Sequence, residues 1–299
     1  MAPAVLYCSD VLSPRRVDEH FAAEAHAVRE RGGRVALIDH DALMGGDAEQ
    51  AVARIPCGPA AAWYRGWMMP SDRYEALAAA VRLRGGSLVV PPAQYRSAHE
   101  LPGWYGAFSG ITPESVWLPS APGRVPAHED LAAAAGKLPA GPGIVKDYVK
   151  SRKHEWDEAC FVPDLADTAR LAQVVRRFVD LQGDDLAGGL VLRAYESFVR
   201  PRSTATEARV WWLDGEPRLV TAHPDSVSPH PPEPELGHVR AAVRRLGCRF
   251  VTTDLALRAD GVWRVVEVGD GQVSDVHREV AKTAIAGLLR PGRTATETP

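Results

Sequence analysis

The segment from 249 to 268 reads Arg249-Phe-Val-Thr-Thr-Asp-Leu-Ala-Leu-Arg258, then Ala259-Asp260-Gly261, then Val262-Trp-Arg-Val-Val-Glu-Val268. An Asp-Gly dipeptide between two β-rich runs is a strong signal for a β-hairpin. With Asp260 and Gly261 as the two loop residues, Asp254 lies directly opposite Glu267. Like charges in that position destabilise a sheet, so the pattern indicates a proton or a cation between them. A hard divalent cation is the simplest explanation, and the alternative is a solvated pair on an exposed sheet face.

The composition is that of an ordinary globular protein. The chain has 299 residues, 45% hydrophobic and 24% charged, which is enough for one large domain or two to three smaller ones. A formal net charge of -3 gives no global basic signature for nucleic acid. Apolar runs of membrane-spanning length and a signal-peptide pattern are both absent from the sequence, so we expect a cytoplasmic protein with no membrane partner.

The cysteines and lysines differ in how they are distributed. The four cysteines are scattered without a C-x-x-C spacing, which favours buried free thiols over a zinc site or a disulfide framework. Four of the five lysines, by contrast, lie between 137 and 153, among thirty arginines in the whole chain. A lysine ammonium binds phosphate as a point charge, so this cluster indicates either a phosphate site or a solvated basic loop.

The first hundred residues alternate strand and helix. Strands are predicted at 5–7, 35–38, 60–64 and 87–90, with helices at 18–31 and 71–84 between them, which is typical of a parallel α/β layer. Residues 91–136 are rich in Pro, Trp and Tyr and show little periodicity. Neither a G-x-G-x-x-G motif nor a P-loop motif occurs, so the sequence supports neither a dinucleotide fold nor a P-loop NTPase.

From 137 onward the pattern changes to strands with longer-range pairing. It predicts a strand over 141–149, helices over 164–182, 236–246 and 277–289, and a strand over 188–196. A second Asp-Gly hairpin joins 207–213 to 217–221, and a loop at 222–235 contains five prolines. The residues from 291 lack apolar content and are expected to form a disordered tail.

Several runs together resemble the ATP-grasp superfamily, specifically a clade of compact bacterial members with characteristic arginine and lysine positions. The runs are 145–151, 153–156, 207–215 and 266–274, and the resemblance extends over roughly 60–290. It implies an α/β (α+β) fold in which a small N-terminal parallel layer precedes two α+β subdomains that sandwich ATP. The expected organisation is an N-terminal domain (1–95), a connecting segment (96–136), a small subdomain with a phosphate loop (137–197), a C-terminal subdomain with a metal site (198–290) and the tail (291–299).

The resemblance also implies roles for residues on the nucleotide side. Lys146 matches a strand lysine that contacts phosphates, and Ser151 and Lys153 belong to a loop that would close over them. The stretch Arg193-Ala194-Tyr195-Glu196 matches the hinge whose backbone binds adenine, with Glu196 directed to the ribose hydroxyls and Arg193 to phosphate oxygens.

On the metal side, the resemblance assigns Mg²⁺ to Asp254 and Glu267. Many family members have Asn at the position of Gly269, so Asp270 is the substitute that we expect as third ligand. Arg209 would contact phosphate oxygens. Arg65 follows a predicted strand, where α/β folds place ligands, so it could bind a substrate carboxylate or simply pack against the Trp-rich segment beside it.

These expectations converge on an ATP-dependent carboxylate–amine ligase with ATP and Mg²⁺ as cofactors and with Arg209 and Lys153 as catalytic residues. It would form an amide or peptide bond through an acyl phosphate, with small-molecule or peptide carboxylates and amines as partners, and a homodimer is left open. The alternatives are an ATP-grasp kinase of a non-carboxylate acceptor, a non-catalytic ATP-binding module and a plain α/β interaction domain.

Overall fold

A computed structural model describes residues 4–199, 207–277, 280 and 283–289. The predicted tail at 291–299 lies outside the described residues. The strands are β1 (Ala4–Cys8), β2 (Arg34–Ile38), β3 (Ala61–Arg65), β4 (Ser87–Leu88), β5 (Ser115–Pro119), β6 (Gly143–Asp147), β7 (Phe161–Val162), β8 (Gly189–Ala194), β9 (Glu207–Leu213), β10 (Glu216–Ala222), β11 (Phe250–Leu257) and β12 (Trp263–Asp270). The helices are α1 (Glu19–Glu30), α2 (His40–Met44), α3 (Ala48–Ala51), α4 (Ser71–Leu83), α5 (Pro92–His99), α6 (Leu101–Phe108), α7 (His128–Ala135), α8 (Thr168–Gln182), α9 (Gly237–Leu246) and α10 (Thr283–Ala286).

The strands form three four-stranded sheets. The first has the order β2-β1-β3-β4 and is parallel throughout. The second (β5-β8-β6-β7) and the third (β10-β9-β11-β12) are antiparallel throughout. This mixture of a parallel layer with two antiparallel layers confirms the predicted α/β (α+β) fold class.

Helix ends in the first layer follow from local capping. The Asp18 carboxylate accepts a hydrogen bond from the His20 N–H at the start of α1, and Gly32 takes a φ of +75° just past its end. The apolar face of α1 then packs on β1, where Val5 and Tyr7 are fully buried. The first layer also shares its core with Trp211 and Phe250 of the third sheet, which anchors it on that sheet.

Two amphipathic helices cover the antiparallel sheets. The face of α8 predicted to be apolar is buried against the second sheet, with Val174 and Phe178 fully inaccessible. Helix α9 covers the third sheet from the side on which Trp212 lies, and Gly247 ends it with a left-handed φ of +70°. No helix in the described parts of the chain has the length and apolar character needed to cross a bilayer.

The two Asp-Gly pairs form different turns. Asp214 and Gly215 have φ angles of 53° and 77°, which match the two-residue type I′ turn expected from the sequence. At Asp260-Gly261 the loop has three residues, because Leu257 pairs with Trp263 and the Arg258 N–H bonds the Val262 carbonyl at 3.0 Å. The prediction of a two-residue loop there was wrong by one residue.

A bulge in β12 cancels that shift. Leu255 pairs with Val265, but Asp254 pairs with Glu267, so Val266 is the extra residue on β12. The predicted pairing of Asp254 with Glu267 is therefore confirmed, although two opposite one-residue shifts produce it. The longer loop is stabilised by the Asp260 carboxylate, which bonds the Arg258 guanidinium at 2.6 Å.

Regions without periodicity contain more structure than the sequence indicated. Residues 91–136 hold α5, α6 and α7, and β5 forms an edge of the second sheet. Their aromatic side chains pack singly into the core, as Trp104 does at 1% exposure, so they leave no helical stripe in the sequence. Of the helix predicted at 277–289, α10 is described as helical, His277 and Val280 are not, and 278, 279, 281 and 282 lie outside the described residues. The four cysteines are free, but Cys57 is exposed, contrary to the expectation of four buried thiols.

Candidate active site

Four polar side chains form a row across one face of the third sheet. Thr221 on β10 pairs with Arg209 on β9, Arg209 pairs with Asp254 on β11, and Asp254 pairs with Glu267 on β12. Directly paired residues in a sheet point to the same side, so this row presents a hydroxyl, a guanidinium and two carboxylates together. The hairpin order of the sequence thus produces a polar stripe inside an otherwise apolar layer.

Arg209 and Asp254 form a two-bond ion pair within this row. The Arg209 Nε and Nη2 atoms each donate to one Asp254 carboxylate oxygen at 2.8 Å, and Nη1 donates to the Asp275 carbonyl at 3.0 Å. Burial alone would lower the pKa of Arg209, but Asp254 outweighs it and raises that pKa. Both groups are nearly inaccessible, so Arg209 stays charged and fixed in orientation.

Two further groups near Asp254 were missed by the sequence analysis. His223 directly follows β10, and its Nε2 atom lies 3.6 Å from the Asp254 Oδ2 atom. Glu207, the first residue of β9, has its pKa raised to about 7 by burial and by the charges of Asp254 and Glu267. The one signal that could have found His223 is its position two residues after Thr221, which places it on the same sheet face.

Lys146 contributes a cation from the second sheet. Its side chain is 5% exposed, and its Nζ atom donates to the Val149 carbonyl at 3.3 Å. Burial lowers the pKa of Lys146, while the charge of Glu267 acts in the opposite direction. The following turn is shaped by Asp147, whose Oδ1 atom accepts the N–H groups of Val149 at 2.7 Å and Lys150 at 2.5 Å. This turn directs 149–151 toward the third sheet.

Lys153 links the second sheet to the third. Its ammonium pairs with the Asp225 carboxylate, which belongs to the loop after β10. Burial would lower the pKa of Lys153, but Asp225 raises it overall, and Lys153 in turn lowers the pKa of Asp225. Since Lys153 is about half exposed, this contact is a solvent-accessible bridge over the gap between the two sheets.

A cavity of about 390 Å³ lies between these walls. We call it the central cavity. Lys146, Ser151, Lys153, Arg209, Asp254, Glu267 and Asp270 of the predicted site all line it, together with His99, Lys150, His223, Asp225 and Asp275 among its other polar residues. The structure therefore brings the predicted phosphate-binding and metal-binding residues to one place.

Asp270 is buried at the end of β12. Its Oδ1 atom accepts hydrogen bonds from the backbone and the side chain of Gln272, and Oδ2 has no hydrogen-bond partner among the described residues. Burial raises the pKa of Asp270 to about 7. A fully buried carboxylate oxygen without a partner at a cavity wall is unusual and indicates room for a proton or a cation.

The predicted hinge residues lie outside the lining of the central cavity. Arg193 donates to the Val266 carbonyl and to Thr112, both at 2.7 Å, so it is committed to the bulge in β12 rather than directed at a phosphate. Burial lowers its pKa to about 10. The Glu196 carboxylate forms a two-bond ion pair with Arg264, at 2.9 and 2.8 Å. Neither side chain is available in the way that the resemblance implied.

The backbone between those two residues leads to an aromatic group. The Tyr195 N–H donates to the Pro142 carbonyl at 2.9 Å, and the Ala194 N–H donates to Glu114 at 2.8 Å. The Tyr195 ring is 39% exposed and lies edge-on to Phe161, which stacks on Trp156 with ring centroids 5.2 Å apart. An exposed aromatic surface therefore lies beside the predicted hinge.

Arg65 is part of a buried network and is 2% exposed. Its Nε atom donates to both carboxylate oxygens of Glu24 at 3.1 Å, and Nη1 donates to the Gln272 carbonyl at 3.0 Å. The guanidinium also lies over the rings of Phe21 and Trp211. With its hydrogen bonds directed into the protein, the contacts favour the packing interpretation over a substrate contact.

The oxygen donors in the cavity fit a hard divalent cation. Asp254 and Glu267 are directly opposed, and the free Oδ2 atom of Asp270 is oriented so that it lacks any other partner among the described residues. Each Asp254 oxygen accepts one bond from Arg209 and keeps a further lone pair, so the ion pair does not prevent coordination. Mg²⁺ prefers a few carboxylates completed by phosphate oxygens and water, which matches this donor set.

Three sheets with a cation-rich wall facing carboxylates define the class of an ATP-grasp protein. A family model of the ATP-grasp domain, for family 3 of the clade with characteristic arginine and lysine positions, matches residues 134–288, and the chain belongs to that family. This confirms the resemblance seen in the sequence. No curated protein matches the chain.

Solved structures match over nearly the whole chain. D-cycloserine synthetase DcsG is 17% identical, with 95% of this chain and 98% of that chain covered and a TM-score of 0.56. A RimK domain ATP-grasp protein from Sphaerobacter thermophilus is 15% identical, with 96% and 99% covered and a TM-score of 0.58. The macrocyclase MdnC from Microcystis aeruginosa, bound to its precursor peptide MdnA, is 14% identical, with 96% and 99% covered and a TM-score of 0.53. At these identities the likeness shows a shared fold.

Proposed function

We propose that this protein is an ATP-dependent carboxylate–amine ligase that releases ADP. The observation that supports it most is the composition of the central cavity, where Asp254 and Glu267 face the buried Lys146 and lie beside Arg209. Phosphoryl transfer depends on positioning and on neutralising charge around the γ-phosphate more than on covalent chemistry by the protein. A site with fixed cations and cation-binding carboxylates meets that requirement.

In the first step, an oxygen of the substrate carboxylate attacks the γ-phosphorus and the bond to the bridging oxygen of ADP breaks. The product is an acyl phosphate. In the second step, the amine nitrogen attacks the acyl carbon, phosphate leaves, and the nitrogen loses a proton to give the amide. Arg209 stabilises the negative charge on the transferred group and on the tetrahedral intermediate, because Asp254 fixes its orientation.

The remaining residues bind the nucleotide. Lys146 and Lys153 contact phosphate oxygens, and Ser151 donates from the loop between them. The backbone of Ala194 and Tyr195 receives adenine, with the exposed aromatic group as neighbouring surface, while Arg193 and Glu196 hold that hinge in place through Thr112, Val266 and Arg264.

Mg²⁺ would be held by Asp254 and Glu267, with Asp270 as the third carboxylate. It would supply positive charge to the phosphates of bound ATP. The protein holds these carboxylates in place without it, through the strand pairing of Asp254 with Glu267 and through the bonds of Gln272 to Asp270.

The acceptor is proposed to be an amino acid or a peptide. Solved structures of the same fold include a D-cycloserine synthetase and two enzymes captured with precursor peptides, PsnB with PsnA2 and MdnC with MdnA. We carry over to this chain only the class of carboxylate and amine substrates.

The test is an ADP-release screen with Mg²⁺ and ATP against a panel of amino acids and peptides, with mass spectrometry of the products. Hydroxylamine should intercept an acyl phosphate as a hydroxamate, whereas a kinase of a hydroxyl acceptor would give a stable phosphate ester. Glu267→Gln should abolish Mg²⁺-dependent ADP release, and Glu235→Gln, an exposed glutamate on the proline-rich loop, should not. Substantial release by Glu267→Gln would show that the proposal is wrong.

A further inference from the structure

A second set of donors lies beside the row of Arg209, Asp254 and Glu267. Glu207, His223 and Asp254 each offer one ligand atom, and these three atoms lie within 4.8 Å of one another. Two opposite ligands on one ion, each at about 2.1 Å, would be about 4.2 Å apart, so small side-chain movements suffice to bind one ion. Asp254 is buried, and Glu207 and His223 are half-buried.

Strand geometry explains why these three converge. Glu207 and Arg209 are two residues apart on β9 and therefore point to the same face, as do Thr221 and His223 at the end of β10. The His223 N–H donates to the Glu207 carbonyl at 3.3 Å, which keeps the two strands in register beyond the end of β10. The donors thus come from rigid pairing rather than from a loop.

The surroundings of His223 suit a metal ligand. Its Nδ1 atom lies 3.9 Å from the Asp225 carboxylate, which Lys153 holds in place. A metal-bound histidine commonly donates its other ring N–H to a carboxylate, which fixes the ring and increases its basicity. When Nε2 binds an ion, the ring proton resides on Nδ1, next to Asp225.

An independent observation points into the same space. The Oγ1 atom of Thr221 has no hydrogen-bond partner among the described residues, although Thr221 is only 2% exposed. Thr221 lies on the face of the donors, paired with Arg209 and two residues before His223. Buried hydroxyls are rarely unsatisfied, and an ion with bound water would supply the missing partner.

Charge balance agrees with this. Glu207, Asp254 and Glu267 place three carboxylates on one sheet face, and the Arg209 guanidinium neutralises one of them through its bonds to Asp254. Asp254 can serve two ions because each carboxylate oxygen has two lone pairs.

We propose that Glu207, His223 and Asp254 form a second divalent-cation site with mixed nitrogen and oxygen donors. Imidazole favours Mn²⁺, Co²⁺ or Zn²⁺, whereas Mg²⁺ prefers oxygen donors alone. The site shares Asp254 with the proposed Mg²⁺ site and differs from it in requiring His223 and Glu207. It needs neither nucleotide nor acceptor, so it stands or falls independently of the ligase activity.

The experiment uses the full chain and Mn²⁺ alone, without nucleotide. Pulsed EPR spectroscopy detects a coordinated imidazole nitrogen as a modulation of the Mn²⁺ signal, and titration gives the dissociation constant. Wild type should show the nitrogen modulation, and absence of that modulation at saturating Mn²⁺ overturns the proposal. Mg²⁺ should displace this Mn²⁺ only at much higher concentration.

Variants assign the ligands. His223→Gln should abolish the nitrogen modulation and weaken Mn²⁺ binding by roughly tenfold or more, and Glu207→Gln should weaken it similarly. The matched control is His230→Gln, because His230 is exposed on the same loop seven residues further on, and it should leave the modulation unchanged. A nitrogen modulation that persists in His223→Gln, or Mn²⁺ binding that depends on Glu267 but not on Glu207, also overturns the proposal. An active ligase without the modulation would refute only this second site, whereas the modulation in a protein that releases no ADP would refute only the proposed function.

Discussion

Arg209 holds Asp254 through two parallel hydrogen bonds of 2.8 Å across adjacent strands, with both side chains almost removed from solvent. The guanidinium has the planar shape that matches a carboxylate, and a lysine ammonium does not. The pair therefore defines both the orientation of a cation at the cavity and the position of a carboxylate that is a proposed ligand.

Arg209→Lys should lower the rate of ADP release by about a hundredfold, because it preserves the charge and loses the fixed two-bond geometry. Steady-state kinetics would show a fall in kcat with a smaller change in KM for ATP. The control is Arg218→Lys on β10, which is exposed and should behave as wild type. A kcat for Arg209→Lys within threefold of wild type would contradict the proposed role of the fork.

The Arg65–Glu24 pair should act on stability. Arg65→Met removes one partner of a buried pair and should reduce the free energy of unfolding by about 3–5 kcal/mol, measured by urea denaturation. The double variant Arg65→Met/Glu24→Leu should recover most of that loss, because it leaves no buried charge unpaired. If Arg65 instead binds substrate, the double variant would regain stability while the KM for the acceptor stayed high.

His99 should make the protein sensitive to mild acid. Burial, followed by the charges of Lys150 and Lys146, lowers the pKa of His99 from 6.5 to about 4. The unfolded chain binds a proton at a higher pH than the folded chain does, so stability is full above pH 6.5 and is lost as the pH falls toward 4. This group should cost about 2 kcal/mol at pH 5 relative to pH 8.

Urea denaturation at both pH values checks this. His99→Gln should remove most of that difference, whereas His128→Gln, at an exposed histidine, should retain the wild-type dependence. An unchanged pH dependence in His99→Gln would mean that another group causes the acid sensitivity.

Lys153→Gln should raise the KM for ATP by about tenfold, because one charge-assisted contact to phosphate is lost. Its effect on stability should stay within about 1 kcal/mol, since the ion pair with Asp225 is half exposed. Lys137→Gln, an exposed lysine from the same cluster, is the control and should change neither quantity. An unaltered KM in Lys153→Gln would remove Lys153 from the nucleotide site.

Much of the fold and part of the candidate site could be predicted. Both hairpins, the amphipathic helices α8 and α9 and the partnership of Asp254 with Glu267 follow from patterns a few residues long. The three-residue loop at Asp260 could not be predicted, because an Arg258–Asp260 ion pair and a bulge at Val266 decide it. The short helices of 91–136 were missed because their aromatic residues are buried one at a time.

The sequence by itself determined where strands, helices and turns form, since hydrogen-bonding pattern and hydrophobic periodicity act over short distances along the chain. Tertiary structure decided which polar groups meet. Arg65 is joined to Gln272 across 207 positions of sequence, which places it in the core, and Lys153 meets Asp225 across 72. His223 reaches Asp254 because two hairpins pair side by side, and such long-range packing leaves no local signature in the residues that it brings together.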